Sequence, residues 1–128
     1  MLTTSTRAQG ATDFALSDRA IDARTHVVEV RGDVDLYSAP ELRRRIAELI
    51  DAGKTLYAID LTEASFVDST TLRVLVGAIM RLRLRDGRLV LACAEPEILR
   101  VLEITGLDQV VAVRATTDQA LAALRDGG

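Results

Sequence analysis

The chain has 128 residues, a length that suits one domain with a single core. Hydrophobic residues make up 48% and charged residues 27% of it, as in a globular protein, and no apolar run reaches the roughly 18 residues of a membrane span. The net charge of −3 and the aromatic content of 3% argue against nucleic-acid binding. We expect a cytoplasmic protein, because the N-terminus lacks the apolar segment of a signal peptide.

The first part of the chain predicts a tail and two strands. Residues 1–12 are polar and small without periodicity, and we expect them to form a mobile tail. Residues 13–17 alternate and predict an edge strand, followed by a turn near Asp18. Residues 26–31 are rich in β-branched side chains and predict a second strand, which the glycine and aspartate at 32–33 are expected to end.

A first helix has a marked start and end. Ser38 and Glu41 have the spacing of a capping box, and Pro40 is tolerated in a first turn. Gly53 is expected to end the helix in the left-handed conformation. Residues 55–61 are apolar on both faces, as in a central strand covered by helices, and a short polar loop is expected to follow them.

A second helix begins after Asp68, whose carboxylate is a good N-cap because it can accept from the free N–H groups of the first turn. Three hydroxyls then lie at the partly positive end of the helix, on Ser69, Thr70 and Thr71. Such a turn suits a phosphate, bound or covalently attached, and three hydroxyls are not needed to cap a helix. The alternative is a helix-start hydroxyl with no further role.

The faces of this helix predict a core side and a partner side. The residues expected to face the core are Leu72, Leu75, Val76, Ile79 and Leu82. The residues that stack opposite that stripe are Thr70, Val74, Gly77 and Arg81. An exposed valine over a glycine is unusual on a solvated face and permits close approach of a partner backbone. We interpret this side as partner-binding, and the alternative is an ordinary solvent-facing surface.

The rest of the chain alternates strands and helices. Residues 88–93 predict a buried strand, in which Cys93 is expected to be a small core residue. Pro96 opens a helix that Gly106 closes, with the leucine after it packing back on the helix. Residues 110–113 predict a last strand.

The C-terminus predicts one more helix, which completes the fold. Thr116 and Gln119 can cap this short helix, and residues 125–128 are expected to fray. Buried strands that alternate with amphipathic helices indicate an α/β protein, a mixed β-sheet with about four α-helices packed on it. Right-handed crossovers make the later strands parallel.

The sequence offers little that is typical of an enzyme or a metal site. His26 is the single histidine, and its strand setting indicates a surface or edge residue. No cluster of histidine, cysteine and carboxylates has metal-ligand spacing, so we expect neither a metal nor a cofactor. No nucleophile elbow surrounds Ser69, and no glycine-rich phosphate loop is present. We expect that the chain is not an enzyme.

Three segments carry a resemblance to a known family. They are residues 32–42 (GDVDLYSAPEL), residues 66–72 (FVDSTTL) and residues 102–107 (LEITGL). In this order they resemble the STAS domain, and most closely the bacterial anti-sigma factor antagonists. The resemblance runs over residues 13–124 and implies a STAS-like fold for that range.

The resemblance also implies a switch. The serine directly after the aspartate, Ser69, would be phosphorylated by an anti-sigma factor that is itself a serine kinase, with Thr70 as the alternative acceptor. Asp68 would hold the acceptor, and Asp33 would lie beside it on a neighbouring loop. Thr71 stands where the family usually has glycine, and its extra bulk bears on the fit to the kinase and on phosphorylation.

In this scheme the unphosphorylated protein binds the anti-sigma factor and frees a sigma factor. Phosphorylation ends that binding, and a metal-dependent serine phosphatase restores it. The alternative is a STAS-domain scaffold or accessory subunit, in a stress-signalling complex or a lipid transporter. A neighbouring gene for a kinase-like anti-sigma factor favours the first reading, and transporter genes favour the second.

Overall fold

Five strands form one sheet in the computed structural model, which describes residues 13–126. The strands are β1 Ala15–Ala20, β2 Thr25–Val34, β3 Leu56–Val67, β4 Arg88–Ala92 and β5 Ala112–Arg114. Their order in the sheet follows the chain. The first two strands are antiparallel, and every later neighbouring pair is parallel. The predicted mixed sheet with parallel later strands is therefore confirmed.

Helices cover both faces of this sheet. They are α1 Ala39–Asp51, α2 Ser69–Arg83, α3 Pro96–Thr105 and α4 Thr117–Arg125. The first three pack on one face and bury the larger core, while α4 packs on the other face over a smaller one. The neighbouring residues Val27 and Val28 of β2 lie in opposite cores, because successive strand side chains point to opposite faces. Cys93 is buried in the larger core, as predicted.

The turn predicted near Asp18 is wrong. Asp18 lies within β1 and pairs with Val28 of β2. The chain turns a few residues later, where the Asp22 carboxylate accepts hydrogen bonds from the backbone N–H groups of Arg24 at 2.9 Å and Thr25 at 2.8 Å. An aspartate that bonds the backbone two and three residues ahead fixes such a turn locally.

Two strands run further than the sequence predicts. Gly32 and Asp33 do not end β2, because the strand shifts register between them and continues to Val34, with Gly32 at a positive φ of 77°. A bulge of this kind absorbs one residue without ending the pairing. The polar loop predicted after β3 is also wrong, since β3 pairs with β2 as far as Val67.

For α1, the structure confirms the predicted C-terminal end but not the predicted N-terminal cap. Ser38 precedes α1 but makes no side-chain cap hydrogen bond, so the capping box with Glu41 is wrong. The Ser38 hydroxyl instead accepts from the backbone N–H of Asp35 at 2.9 Å. Gly53 has a φ of 96°, and the N–H groups of residues 53 and 54 return to the last turn of α1, as predicted for a left-handed end.

The end of α3 and the start of α4 are as predicted. Gly106 closes α3 in the left-handed conformation with a φ of 78°, and Leu107 behind it is buried. The Thr116 hydroxyl accepts from the N–H of Gln119 at 3.1 Å and caps α4. Arg125 is still helical, so the predicted frayed tail begins too early. The predicted N-terminal tail and residues 127–128 lie outside the described residues.

His26 is buried, contrary to the surface or edge position predicted for it. Its Nε2 lies 2.6 Å from Oδ1 of Asp18 on β1. Arg45 of α1 donates to both oxygens of the same carboxylate, at 2.7 and 2.9 Å. The hydrogen bonds from Arg45, with a smaller contribution from His26, lower the pKa of Asp18 to about 2. This Asp18 network joins β1, β2 and α1.

Candidate functional site

The candidate site lies where the carboxyl ends of parallel strands meet the first turns of the following helices. Strand β3 ends at Val67 and α2 begins at Ser69, so Asp68 alone connects them. Asp68 has extended backbone angles, and its Oδ1 accepts from the N–H of Thr71 at 3.1 Å. The predicted N-cap is confirmed, and the cap fixes where the first turn of α2 starts.

The end of β2 holds this turn in place. The carbonyl of Val34 accepts from the N–H of Asp68 at 3.2 Å and from the hydroxyl of Thr71 at 2.9 Å. One carbonyl thus binds the turn at two points, through the backbone and through a side chain. The orientation of the first turn is therefore set by a strand that lies more than thirty residues earlier in the chain.

The three hydroxyls of the turn differ in exposure. Ser69 is exposed, Thr70 is half-buried, and Thr71 is completely buried. Within residues 13–126, the hydroxyl of Ser69 makes no hydrogen bond. Ser69 is therefore the most accessible of the three residues, and Thr71 is inaccessible.

Thr71 fills a place inside the fold. Its side chain lies between the start of α2 and the end of β2, with its hydroxyl paired as described above. A glycine here would leave that space empty. The bulk that distinguishes this chain from the usual family pattern is thus directed into the core and away from the protein surface.

Asp33 lies on β2 and not on a neighbouring loop, which corrects the expectation from the family. It is half-buried and pairs with Phe66 of β3, three residues before Ser69. The structure therefore brings Asp33 to the same end of the sheet as the turn. The prediction from the sequence placed Asp33 on a loop because a glycine such as Gly32 is a typical signal of a strand end, whereas here it lies at a bulge.

The predicted partner side of α2 faces α1 and does not lie opposite the core. Thr70, Val74 and Arg81 are half-buried, and Val74 packs against the larger core. Arg81 donates to Asp51 of α1 at 2.9 Å. Gly77 is exposed on the same side. The predicted orientation of α2 about its own axis was therefore wrong, because this side contacts α1.

The core stripe of α2 is also shifted. Val76 was predicted to face the core but is 41% exposed, whereas Ala78 is 5% exposed and packs inside. Leu72, Leu75 and Leu82 are buried as predicted. Periodicity alone does not separate a small buried alanine from a larger valine on the next face.

An exposed apolar ridge, which the sequence reading missed, runs along α2. We call Val76, Met80 and Leu84 the α2 ridge; Met80 is 62% and Leu84 is 88% exposed. These positions are four residues apart and share a face. Other large apolar side chains exposed near the ends of β2 and β3 are Leu36, Tyr37 and Phe66. Single exposed apolar residues are common, but two on α2 that are continued by its C-cap residue Leu84 indicate a contact surface.

A groove separates α1 from α2. Its apolar floor consists of Ile46, Ala47, Ile50, Val74, Gly77 and Ala78, and its volume is about 320 Å³. Three arginines line it as well, Arg43, Arg73 and Arg81. A second cavity of about 290 Å³ shares Arg43, Arg73 and Val74 and reaches Pro40 and Thr70. The groove therefore extends to the turn that carries Ser69. We refer to both cavities together as the α1–α2 groove.

Over residues 13–126, the side chains form no group of three or more histidines, cysteines and carboxylates that could hold a metal ion. In the same part of the chain, every helix is too short or too polar to cross a membrane.

Residues 18–120 match the family model of the STAS domain, and the chain belongs to this family. Within it, the chain is related to the anti-sigma factor antagonists. It is 38% identical over 85 residues to the anti-sigma-B factor antagonist of Listeria monocytogenes, which is 66% of this chain and 75% of that protein.

Solved structures agree with this assignment. An anti-sigma factor antagonist from Mycobacterium paratuberculosis matches with a TM-score of 0.80 and 28% identity, over 88% of this chain and 94% of that one. The Bacillus cell fate determinant SpoIIAA in its phosphorylated form has a TM-score of 0.69 at 22% identity, over 84% of this chain and 97% of that one. The latter likeness shows a shared fold.

Proposed function

We propose that this protein is an anti-sigma factor antagonist that is switched by phosphorylation of Ser69. The observation that carries the proposal is the exposed Ser69 at the first position of α2, a helix that Asp68 caps and in which the hydroxyl of Thr71, two residues further on, is buried. The family membership and the names of the relatives support the antagonist role.

In this proposal the unphosphorylated protein binds an anti-sigma factor with serine kinase activity and thereby frees a sigma factor. The kinase transfers a phosphoryl group to Ser69, and a metal-dependent serine phosphatase removes it. The chain itself is the substrate of these reactions and not an enzyme. A sigma factor as the final target places the exchange in the cytoplasm.

The partner would close over the first turn of α2 and the residues beside it. Thr70, Val74, Gly77 and Arg81 line the α1–α2 groove next to that turn, and we assign them to the partner surface. Thr71 is inside the fold, so its replacement of the usual glycine leaves this surface unchanged. Asp68 and Asp33 would support the acceptor turn from the sheet end.

Phosphorylation would act on the interface rather than on the fold. A phosphoryl group adds about −1.5 to −2 charges at pH 7. The helix N-terminus favours that charge by roughly 0.3–1 kcal/mol, while the carboxylate of Asp68 opposes it. These contributions nearly cancel within the protein. A partner that covers the turn must desolvate the new charge, which weakens the complex.

The test uses the anti-sigma factor kinases encoded in the source genome. Incubation with the cognate kinase and ATP should add one phosphate, which mass spectrometry should locate at Ser69. Ser69→Ala should stay bound to that kinase with or without ATP, whereas Thr70→Ala should still be phosphorylated and released. A phosphate on Thr70, or outside the first turn of α2, would contradict the proposal.

A further inference from the structure

All charged side chains that line the α1–α2 groove are positive. The lining contains Arg43, Arg73 and Arg81 and no carboxylate, in a protein whose net charge is −3. Arg81 is already bound to Asp51 on α1. Arg43 and Arg73 make no ion pair with any residue in the range 13–126. Two unpaired guanidinium groups therefore flank an apolar floor.

Packing within the protein does not explain why position 77, in the floor of the groove, is a glycine. A glycine inside a helix is less favourable than an alanine. A Cβ added at Gly77 would meet no atom within 4 Å, so internal packing does not demand a glycine there. The missing side chain instead widens the groove and permits a partner backbone to approach α2.

The dimensions and chemistry of the groove fit a helix better than a strand. From Thr70 to Arg81 the groove follows α2 over twelve residues, whose eleven rises span about 16 Å, or three helical turns. Its walls are two helices, whose backbone groups are bonded within each helix. An extended peptide would find no main-chain partners here, whereas a helix satisfies its own backbone.

We propose that the α1–α2 groove binds an amphipathic helix of the anti-sigma factor, apolar toward the floor and carrying carboxylates along its flanks. The inference rests on the proposed function, because it takes the anti-sigma factor as the partner. Arginine suits this role, since its guanidinium group binds carboxylates through two parallel hydrogen bonds.

The same geometry connects the groove to the phosphorylation site. Arg73 lies four residues after Ser69, so their side chains are neighbours on one helix face. A phosphoryl group on Ser69 would repel the carboxylates of the bound helix and would compete with them for Arg73. Phosphorylation thus removes part of the charge that attracts the partner.

Calorimetric titration of the cognate anti-sigma factor tests the groove. Gly77→Leu fills the floor and should weaken binding by at least about tenfold, as loss of a central contact does. The double variant Arg43→Gln/Arg73→Gln should weaken binding by about tenfold and reduce the dependence of Kd on salt. The matched control Arg100→Gln/Arg125→Gln removes two exposed arginines outside the groove and should bind within about twofold of the parent.

A photo-crosslinking amino acid at position 73, with position 100 as control, identifies the occupant. The expected product joins position 73 to an amphipathic partner peptide with aspartate or glutamate on its flanks. Two outcomes would overturn the groove assignment alone, provided that the kinase still phosphorylates the parent at Ser69. One is a crosslinked peptide without carboxylates, and the other is groove variants that bind the anti-sigma factor as tightly as the parent does. If no anti-sigma factor binds the parent, both this inference and the proposed function fail.

Discussion

The carbonyl of Val34 shows how one residue sets the position of the first turn of α2. It accepts from both the N–H of Asp68 and the hydroxyl of Thr71, which links β2 to α2. The N-cap at Asp68 was predictable, because it depends on residues within one turn. The burial of Thr71 was not, because it depends on where a strand ends much earlier in the chain.

Replacing Thr71 tests this link. Thr71→Val keeps the shape of the side chain but removes its hydrogen bond, and we expect a loss of about 1 kcal/mol in unfolding free energy. The loss stays small because the carbonyl of Val34 keeps its bond to Asp68. Urea denaturation should show this loss, and Thr70→Val at the half-buried neighbour should show less. Equal effects of both variants would contradict the assigned role of Thr71.

Among the helices, α2 separates adjacent side chains into opposite environments. Leu75 is 1% exposed, whereas Val76 is 41% exposed on the ridge. Leu75→Asp should bury an unpaired charge and unfold the domain, since total stabilities are only about 5–15 kcal/mol. Val76→Asp should change the unfolding free energy by within about 0.5 kcal/mol. Thermal melts monitored by circular dichroism would compare the two, and a folded Leu75→Asp protein would show that this helix face is wrongly assigned.

The Asp18 network, which joins β1, β2 and α1, predicts how the stability of the fold depends on pH. The pKa of Asp18 falls from 3.8 to about 2 on folding, chiefly through its hydrogen bonds from Arg45. The charged carboxylate therefore stabilises the fold above pH 3.8, and this stabilisation is lost as the pH falls toward 2. Asp18→Asn should lower the unfolding free energy at pH 7 by about 2 kcal/mol.

Denaturant titrations of parent and Asp18→Asn between pH 2 and pH 7 would check this. The two curves should converge at the acid end, because the parent then loses the same charge. Asp13→Asn is a suitable control, since Asp13 is exposed. A difference that stays constant down to pH 2 would mean that the substitution acts through packing.

The elements themselves were largely predictable, and their contacts across the chain were not. Gly53, Gly106 and Thr116 mark helix ends through local geometry, and each does so in the structure. The burial of His26 required Asp18 and Arg45, from two other elements, to meet it. Likewise, the rotation of α2 that exposes Val76 depends on packing against α1 and the sheet.

At the scale of the whole molecule, the described structure has helices on both faces of one sheet, and the first turn of α2 lies at the carboxyl end of the central strand β3. We expect phosphorylation of Ser69 to leave this architecture intact. The melting temperature should shift by less than about 5 °C, which corresponds to roughly 1 kcal/mol for a domain of this size. Amide exchange of phosphorylated and plain protein would report on the middle of α2. Loss of protection at Leu75 and Ile79 would mean that the helix unfolds.

The two hydrogen bonds to the carbonyl of Val34 make the shape of the first turn of α2 dependent on the folded sheet. An enzyme that modifies Ser69 would meet a surface that exists only after β2 has docked against α2, because the first turn of α2 is anchored by a residue far away in sequence. A linear peptide with the same residues lacks that anchor. If Ser69 is phosphorylated as proposed above, its modification would require the folded chain, and unfolded or truncated copies would neither consume ATP nor enter the switch.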